Sequence, residues 1–343
     1  MKGEIKLNKI LLITDYNELY RQDIYRSQGI DLVKFKKTLE ENGYFVTQLN
    51  YNELLNNDDI TSYEGYNVVY TSSENLEYKE YIKDIIYELG KKNKLVPRYD
   101  LLMAHEDKLY QEILKRSVGI KSLSAKTYAT MKDLYKDIDS VTYPVVIKKC
   151  VGAGSISVYK ANNRNELIKY AKKIMKSKTF YEYYLKALYK KVKGKLNEHY
   201  FDDEKYFGRL VLQQYIPNLE CDWKVLVFGD KYYALRRNVR KNDFRASGSG
   251  MFSFEIPDYR ILDYAKQIYE KMDVPFLSLD LCIDTEGNVY LIEFQGIHFG
   301  PYTLINSPHY FKKNENWERV EKKSVLAEEY ALAIVKYINE KDN

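Results

Sequence analysis

The chain has 343 residues, a net charge of +5 and 45% hydrophobic residues. This length predicts two or three lobes, and the composition is that of a globular protein. No apolar run is long enough to span a bilayer, and the charged start has no signal-peptide cleavage pattern. Cys150, Cys221 and Cys282 lack metal-ligand spacing. We therefore expect a cytoplasmic protein with reduced cysteines, and the modest, dispersed charge does not favour nucleic-acid binding.

Strand and helix patterns alternate over residues 1–100, which predicts an open parallel α/β lobe. The predicted strands are Lys9–Thr14, Phe45–Leu49, Asn67–Tyr70 and Lys94–Val96. Asp31 can cap one helix, which Gly43 can end, and a second helix lies near Tyr78–Leu89. No glycine-rich dinucleotide fingerprint is present, so this lobe either binds substrate at the carboxyl ends of its strands or is purely architectural.

The middle of the chain begins with a helix that His105-Glu106-Asp107-Lys108 opens, which is expected to carry Leu109, Ile113 and Leu114 on one face and to end near Gly119. Further on, an apolar strand ends in Lys148 and runs into VGAGSISV, a loop of small residues. A lysine beside such a loop suits phosphate binding, although a plain hairpin turn has the same composition. The loop does not match the P-loop pattern.

An unusual stretch, Thr179–Val192, reads TFYEYYLKALYKKV and is followed by further lysines. Phe180, Tyr183, Tyr184, Leu188 and Val192 recur at helical spacing, which predicts an amphipathic basic helix within a 179–209 insertion. We expect an extra helix packed on its lobe. The alternatives are a contact for an acidic substrate or for a membrane surface.

The most informative stretch is Leu277–Gly300, in which two strand-like runs flank a turn at Asp284–Asn288. The hairpin would bring together Asp280, Glu293 and Gln295, the last two on one face of their strand. Oxygen ligands of this kind suit Mg²⁺, with substrate phosphates completing its shell. The alternative is a surface hairpin whose acids are solvated.

Arginines precede this hairpin in the glycine-rich segment Arg236–Gly250. Such a segment is either ordinary surface charge or a clamp for phosphate and carboxylate, since arginine grips both in bidentate fashion. Its position just before an acidic hairpin favours the clamp.

In this order the segments resemble the ATP-grasp superfamily, especially carboxylate–amine ligases of the ribosomal-protein glutamate ligase type. The resemblance covers Leu101 to about Pro301 and rests on motifs that are loose one by one but specific in joint order. They are Asp107-Lys108, PVVIKK with VGAGSISV, LQQYI, CDWKVLVFGDKYYALRR, DFRASGSG, and Asp280 with Glu293-Phe294-Gln295. The implied fold is α/β, with α+β ATP-binding lobes. An N-terminal lobe spans 1–100, a small lobe 101–217 and a large lobe 218–343.

The resemblance also implies roles for single residues. ATP phosphates would contact Lys108 and Lys148, under a mobile lid at Gly152–Ser157 that includes Gly152, Gly154 and Ser155. The adenine would meet Gln213, Gln214, Tyr215 and Ile216, and the ribose would meet Glu220. Arg237 would face the γ-phosphate and Arg245 the carboxylate or acyl phosphate, while Asp280, Glu293 and Gln295 would hold two Mg²⁺ ions, with Mn²⁺ as the alternative metal. The chain departs from the family pattern at Gln213, at Gln295 in place of Asn, at Lys224 in place of Arg and at Ser247 in place of Asn.

The implied activity is an ATP- and Mg²⁺-dependent ligation, in which a carboxylate becomes an acyl phosphate and an amine then forms the amide. The substrates would be small molecules or peptides. Whether the protein is a monomer or a homodimer is left open by the sequence. The rivals are an ATP-grasp kinase that phosphorylates a hydroxyl group and an ATP-binding scaffold or regulator without turnover. His298, just past the hairpin, either contacts substrate or is structural.

Overall fold

The computed structural model describes residues 8–20, 29–56, 59–151, 157–176, 180–195, 206–240, 243–246 and 248–342, with only the backbone of 180–183. Its contacts divide the chain into two units. Unit 1 comprises Met1–Ser122 and Asn218–Asn343, and unit 2 is Leu123–Pro217. Residues 101–122, which the sequence analysis assigned to the small lobe, lie in unit 1 in this division.

The first part of unit 1 is an alternating α/β segment, as the sequence predicted. Its elements are β1 Lys9–Thr14, α1 Leu32–Glu41, β2 Phe45–Asn50, α2 Tyr51–Asn56, β3 Asn67–Tyr70, α3 Leu76–Leu89, β4 Lys94–Val96, α4 Tyr99–Ala104 and α5 Lys108–Ser117. The strands form a parallel sheet in the order β2-β1-β3-β4. The Asp31 side chain accepts a hydrogen bond from the Lys34 N–H at 3.0 Å, and Gly43 takes a φ of +88°, so the predicted start and end of α1 are confirmed.

Helix α5 begins where the sequence predicted, but its buried face is different. Ile113 is 51% exposed, whereas Lys115 is 1% exposed. The buried residues of the helix are Lys108, Gln111, Glu112, Leu114 and Lys115. The predicted apolar face is therefore confirmed for Leu114 but wrong for Ile113, because α5 turns charged side chains inward, toward partners described below.

Unit 2 is a small α+β body. Its elements are β5 Ala125–Thr130, α6 Met131–Asp137, β6 Val145–Lys149, β7 Val158–Ala161, α7 Arg164–Met175, α8 Phe180–Val192 and β8 Phe207–Gln214. The strands form an antiparallel sheet in the order β5-β8-β6-β7. Leu134, Ile147, Leu167 and Leu212 belong to the core that the sheet shares with α6 and α7.

The helix predicted within the 179–209 insertion is present as α8, but its apolar positions are not packed. Tyr184, Leu188 and Val192 are 53%, 46% and 78% exposed. The expectation of a helix packed on its lobe is therefore wrong for Leu188 and Val192, because about half or more of each side chain is exposed. Phe180 and Tyr183 lie outside the described side chains.

The rest of unit 1 carries the larger sheet. Its elements are β9 Cys221–Phe228, β10 Lys231–Asn238, β11 Phe252–Ser253, α9 Tyr259–Met272, β12 Phe276–Ile283, β13 Val289–Gln295, α10 Tyr302–Asn306, β14 Tyr310–Lys313, β15 Trp317–Val320 and α11 Leu326–Asp342. The sheet runs β13-β12-β9-β10-β14-β15, with β11 beside β10. None of the described helices is long and apolar enough to span a membrane.

The two faces of this sheet differ in what they bury. Leu277, Leu279 and Leu281 point to one face and share a core with α9 residues such as Ile261. Because side chains alternate along a strand, Asp280 points to the opposite face. At the far end of that second face, Phe276 packs against Tyr330 of α11 with ring centroids 4.6 Å apart. The end nearer Asp280 carries charged side chains, and these form the candidate site.

Candidate functional site in unit 1

The hairpin formed by β12 and β13 brings the predicted acids together. Asp280 lies directly opposite Glu293 in the antiparallel register, with an irregularity between Asp280 and Leu281. The turn is closed by Asp284 and Gly287, whose φ is +87°. A φ of this sign favours glycine at position 287, whereas the nearby Arg260 guanidinium ends a flexible, exposed side chain that could move aside.

Asp280 lies between two cations that come from neighbouring strands. Lys224 Nζ is 3.2 Å from its Oδ1, and Arg237 Nη2 is 2.9 Å from its Oδ2. Arg237 is also bidentate to Asp222, at 2.6 and 2.9 Å. Burial acts to raise the pKa of Asp280, but Arg237 and Lys224 outweigh it and hold that pKa below its ordinary value. Asp280 therefore stays ionised although its side chain is only 19% exposed.

Glu293 has its cationic partner on α5. Lys108 Nζ is 3.4 Å from Glu293 Oε1, and both side chains are largely buried. The Asp107 side chain accepts a hydrogen bond from the Tyr110 N–H at 3.1 Å, so it caps the helix that places Lys108. The structure thus joins the predicted phosphate-binding lysine to the predicted metal hairpin within one unit.

Gln295 contacts Glu106, an acid that none of the sequence motifs had indicated as a site residue. Glu106 N–H donates to Gln295 Oε1 at 3.3 Å, and Gln295 Nε2 lies 3.2 Å from Glu106 Oε1. Glu106 adopts a φ of +53°, which a non-glycine residue occupies only when its surroundings enforce it. Burial, and then the charge of Glu293, raise the pKa of Glu106. The signal available in the sequence was an acid directly before Asp107-Lys108.

A second ion pair lies on the buried face of α5. Lys115 Nζ is 2.5 Å from Glu112 Oε1, with side-chain exposures of 1% and 7%. Burial lowers the pKa of Lys115, opposed by Glu112 and Glu293. The negative charge of Glu293 therefore acts on Lys115 as well as on Lys108. Together these contacts explain why α5 buries charged residues.

The oxygen donors of this cluster fit Mg²⁺. Asp280 and Glu293 supply carboxylate oxygens, and within the described part of the chain Glu106 Oε2 is buried without a hydrogen-bond partner. A buried carboxylate oxygen without a donor is a position that a hard cation would satisfy. Gln295 turns its Nε2 toward Glu106 and toward Glu293, 3.2 and 3.5 Å away. Its amide would have to rotate before the oxygen could ligate a metal shared with Glu293.

Arg245 is placed differently from Arg237. It forms a bidentate ion pair with Asp243, at 2.7 to 3.0 Å. In this structure Arg245 therefore forms an ion pair with a neighbouring acid. Glu255, another acid near this segment, pairs with Arg236 at 2.8 Å. Glu220 is exposed, and its backbone carbonyl accepts a hydrogen bond from Val239 N–H at 2.9 Å.

Unit 2 holds the remaining predicted nucleotide contacts. Lys148 and Gln213 are buried, on β6 and β8. Gln214 is the exposed last residue of β8, and its N–H donates to the Ser124 carbonyl at 2.9 Å. Tyr215 and Ile216 follow the strand, with the Lys160 ammonium 4.1 Å from the Tyr215 ring centroid. Gly152, Gly154 and Ser155 lie outside the described residues.

No protein-family model and no curated protein matches this chain. Solved structures do resemble it. The D-cycloserine synthetase DcsG has a TM-score of 0.56 at 13% identity, over 96% of this chain and 99% of that one. A D-alanine–D-alanine ligase from Bacillus anthracis complexed with ATP has a TM-score of 0.53 at 12% identity, over 98% and 99%. A RimK domain protein ATP-grasp from Sphaerobacter thermophilus has a TM-score of 0.50 at 11% identity, over 96% and 99%.

At identities this low, the similarity shows the fold but does not identify the substrate. The likeness nevertheless extends over nearly the full length of both chains in each of the three comparisons. It agrees with the parallel N-terminal sheet, the antiparallel sheet of unit 2 and the β12–β13 hairpin. The chain therefore has the ATP-grasp fold that the order of its sequence motifs predicted.

Proposed function

We propose that this protein is an ATP- and Mg²⁺-dependent ligase that activates a carboxylate as an acyl phosphate and joins it to an amine. The observation that carries this proposal is the row of charges across the large sheet. Two acids lie on facing strands, Asp280 and Glu293. Each has a buried or largely buried cation beside it, Arg237 for Asp280 and Lys108 for Glu293.

These charges suit transfer of a phosphoryl group. Asp280, Glu293 and an oxygen from Glu106 or Gln295 would hold Mg²⁺, which when bound supplies charge neutralisation for the phosphates of ATP. Lys108 and Arg237 lie beside the acids and neutralise their charge. Bound Mg²⁺ would neutralise part of that charge instead, and the two cations would then bind phosphate oxygens. In the first step the substrate carboxylate would attack the γ-phosphate of ATP, giving an acyl phosphate and ADP. In the second step an amine would displace the phosphate and form the amide.

The neighbours support the same class of reaction. Two of the three structures named above are a synthetase and a ligase, and one was solved with ATP bound. On the family resemblance, Lys148, Gln213–Ile216 and Glu220 would contact the nucleotide, and Arg245 the reacting carboxylate. The lid role of Gly152–Ser157 likewise stays a prediction, since Gly152–Ile156 lie outside the described residues.

The deciding experiment measures which co-substrate class ADP release requires. Purified protein with Mg-ATP is incubated with pools of carboxylates, amines and alcohols, and hydroxylamine is added to trap any acyl phosphate as a hydroxamate. We expect ADP release that depends on a carboxylate, with hydroxamate formed in its presence, and neither in a folded Glu293→Gln variant. Release stimulated by an alcohol alone would make the protein a kinase. Tight ATP binding without turnover in any pool would make it a scaffold or regulator.

A further inference from the structure

A group of three ligand-bearing side chains lies in unit 1 outside the oxygen cluster. Glu74 follows β3, His105 caps the end of α4, and His298 follows β13. One ligand atom from each lies within 4.8 Å of the other two. The imidazole rings are edge to face with centroids 4.3 Å apart, and His105 and His298 are 2% and 3% exposed. Three separate loops therefore converge on one buried point.

Each imidazole is held through one nitrogen. Ser72 Oγ lies 3.0 Å from His105 Nδ1, and Glu74 Oε1 lies 2.5 Å from His298 Nε2. Among the described residues, His298 Nδ1 is buried and has no hydrogen-bond partner. His105 is oriented as metal-binding histidines are, with a hydroxyl on one ring nitrogen and the other nitrogen left for the metal. A metal on His298 Nδ1 would point away from Glu74, so the ion would instead replace the proton between His298 Nε2 and Glu74, and both of these groups would become ligands.

Lys79 lies near the group but does not bind its rings. Its ammonium is directed to the His105 backbone carbonyl, at 2.8 Å. Metal binding needs neutral imidazole rings and releases their protons, so Zn²⁺ affinity at this group should fall at acidic pH.

We propose that Glu74, His105 and His298 form a binding site for a divalent first-row transition-metal ion, distinct from the oxygen donors at Asp280 and Glu293. Two imidazoles and one carboxylate are the ligand set that zinc and iron(II) take, and they leave further positions open for water or a small ligand. Mg²⁺ prefers an all-oxygen shell, so the two sites select different ions. This inference concerns metal binding alone and does not depend on the proposed ligase activity.

The test is a metal titration of the full-length protein after removal of bound metal with a chelator. Zn²⁺ is titrated calorimetrically in buffer with excess Mg²⁺ and no nucleotide, and Co²⁺ is used as a spectroscopic probe of nitrogen and oxygen coordination. We expect one equivalent of Zn²⁺ to bind without competition from Mg²⁺, and to raise the melting temperature. Absence of Zn²⁺ binding, or its displacement by Mg²⁺, would overturn the proposal.

Variants then locate the ion. His105→Asn, His298→Asn and Glu74→Gln should each weaken Zn²⁺ affinity at least tenfold. Glu74 is less buried than the two histidines, so its substitution should disturb the fold least. His309→Asn is the matched control, because His309 is 1% exposed, lies in the same unit and is outside the group. It should leave the affinity unchanged. If a histidine variant fails to fold, Glu74→Gln still decides the matter, and full Zn²⁺ affinity in that variant together with an unchanged Co²⁺ spectrum would refute the site.

Discussion

Glu106 and Gln295 exchange two contacts although they lie 189 residues apart in the chain. One is a backbone N–H donated to the amide oxygen, and the other joins the amide nitrogen to the carboxylate. This arrangement fixes Glu106 in a left-handed backbone conformation beside the hairpin, with one carboxylate oxygen lacking a hydrogen-bond partner among the described residues. A partly buried acid that is in a left-handed conformation and near Glu293 is a feature that folding alone does not favour.

We predict that Glu106→Gln stabilises the protein while weakening its metal site. Removing a charge whose burial is unfavourable should raise the free energy of unfolding. Replacing an anionic carboxylate by a neutral amide should lower Mg²⁺ affinity in the presence of ATP. Urea unfolding and a Mg²⁺ titration of nucleotide binding measure the two effects. A variant that is less stable, with Mg²⁺ affinity unchanged, would show that Glu106 has a structural role only.

Glu293→Gln should abolish turnover in a folded protein. It removes an anionic oxygen that the proposed metal needs, and it leaves Lys108 without its carboxylate partner. The expected loss in kcat/KM is about a hundredfold or more, corresponding to about 3 kcal/mol. Glu286→Gln, an exposed acid at the turn of the same hairpin, is the control and should keep full activity. Near-normal activity in Glu293→Gln would remove the metal assignment.

The ion pair between Lys115 and Glu112 is predicted to matter for stability because it is buried. Lys115→Met leaves Glu112 as an uncompensated buried charge and should lower the free energy of unfolding by about 3 kcal/mol. Combining it with Glu112→Leu should recover most of that loss, since apolar pairs often replace buried ion pairs without cost. Urea denaturation measures both variants.

Lys91→Met provides the control for this pair. Lys91 pairs with Glu88 on the surface of the same unit, at 2.6 Å, and should show no resolvable change. If the double variant of Lys115 and Glu112 were as unstable as the single one, the pair would be serving a purpose other than mutual neutralisation.

Buried tyrosines predict loss of stability at alkaline pH. Burial raises the pKa of Tyr264 to about 12, and it raises the pKa values of Tyr51, Tyr70 and Tyr330 well above 10. Because the folded-state pKa is the higher one, this stability is fully present below about pH 10 and is lost as the pH rises toward the folded-state values.

An alkaline titration checks this expectation. Tyrosinate absorbance should show an early phase during which circular dichroism reports an intact fold. A later phase should coincide with unfolding. Complete titration of all tyrosines in one phase, with native circular dichroism throughout, would contradict the burial of these rings.

Arg245→Lys separates a substrate contact from a structural ion pair. If Arg245 holds the reacting carboxylate, the variant should keep ATP and Mg²⁺ affinity but lose on the order of 2–4 kcal/mol in kcat/KM for that substrate. Asp243→Asn, which removes the partner seen in the structure, is the companion variant and should reduce kcat/KM less. An unchanged kcat/KM in Arg245→Lys, with lower stability, would assign the arginine to the ion pair with Asp243.

The sequence by itself determined those features that rest on local chemistry. The apolar run of β1, the Asp31 cap, the positive φ of Gly43 and the turn at Gly287 each follow from the conformational preferences of a few adjacent residues. The placing of Glu293 and Gln295 on one strand face follows from the two-residue period of a strand. The ATP-grasp fold was indicated by the resemblance of the longer motifs, in their joint order, to that superfamily.

Only the tertiary structure decided which charged groups are buried, and with which partners. Periodicity reveals a buried helix face when that face is apolar, so it misassigned α5, whose inward side chains include Lys108, Glu112 and Lys115. It likewise could not show that α8 leaves Leu188 exposed. A charged side chain enters a protein interior only where opposite charges or hydrogen-bond donors meet it there, and those partners come from distant segments of the chain.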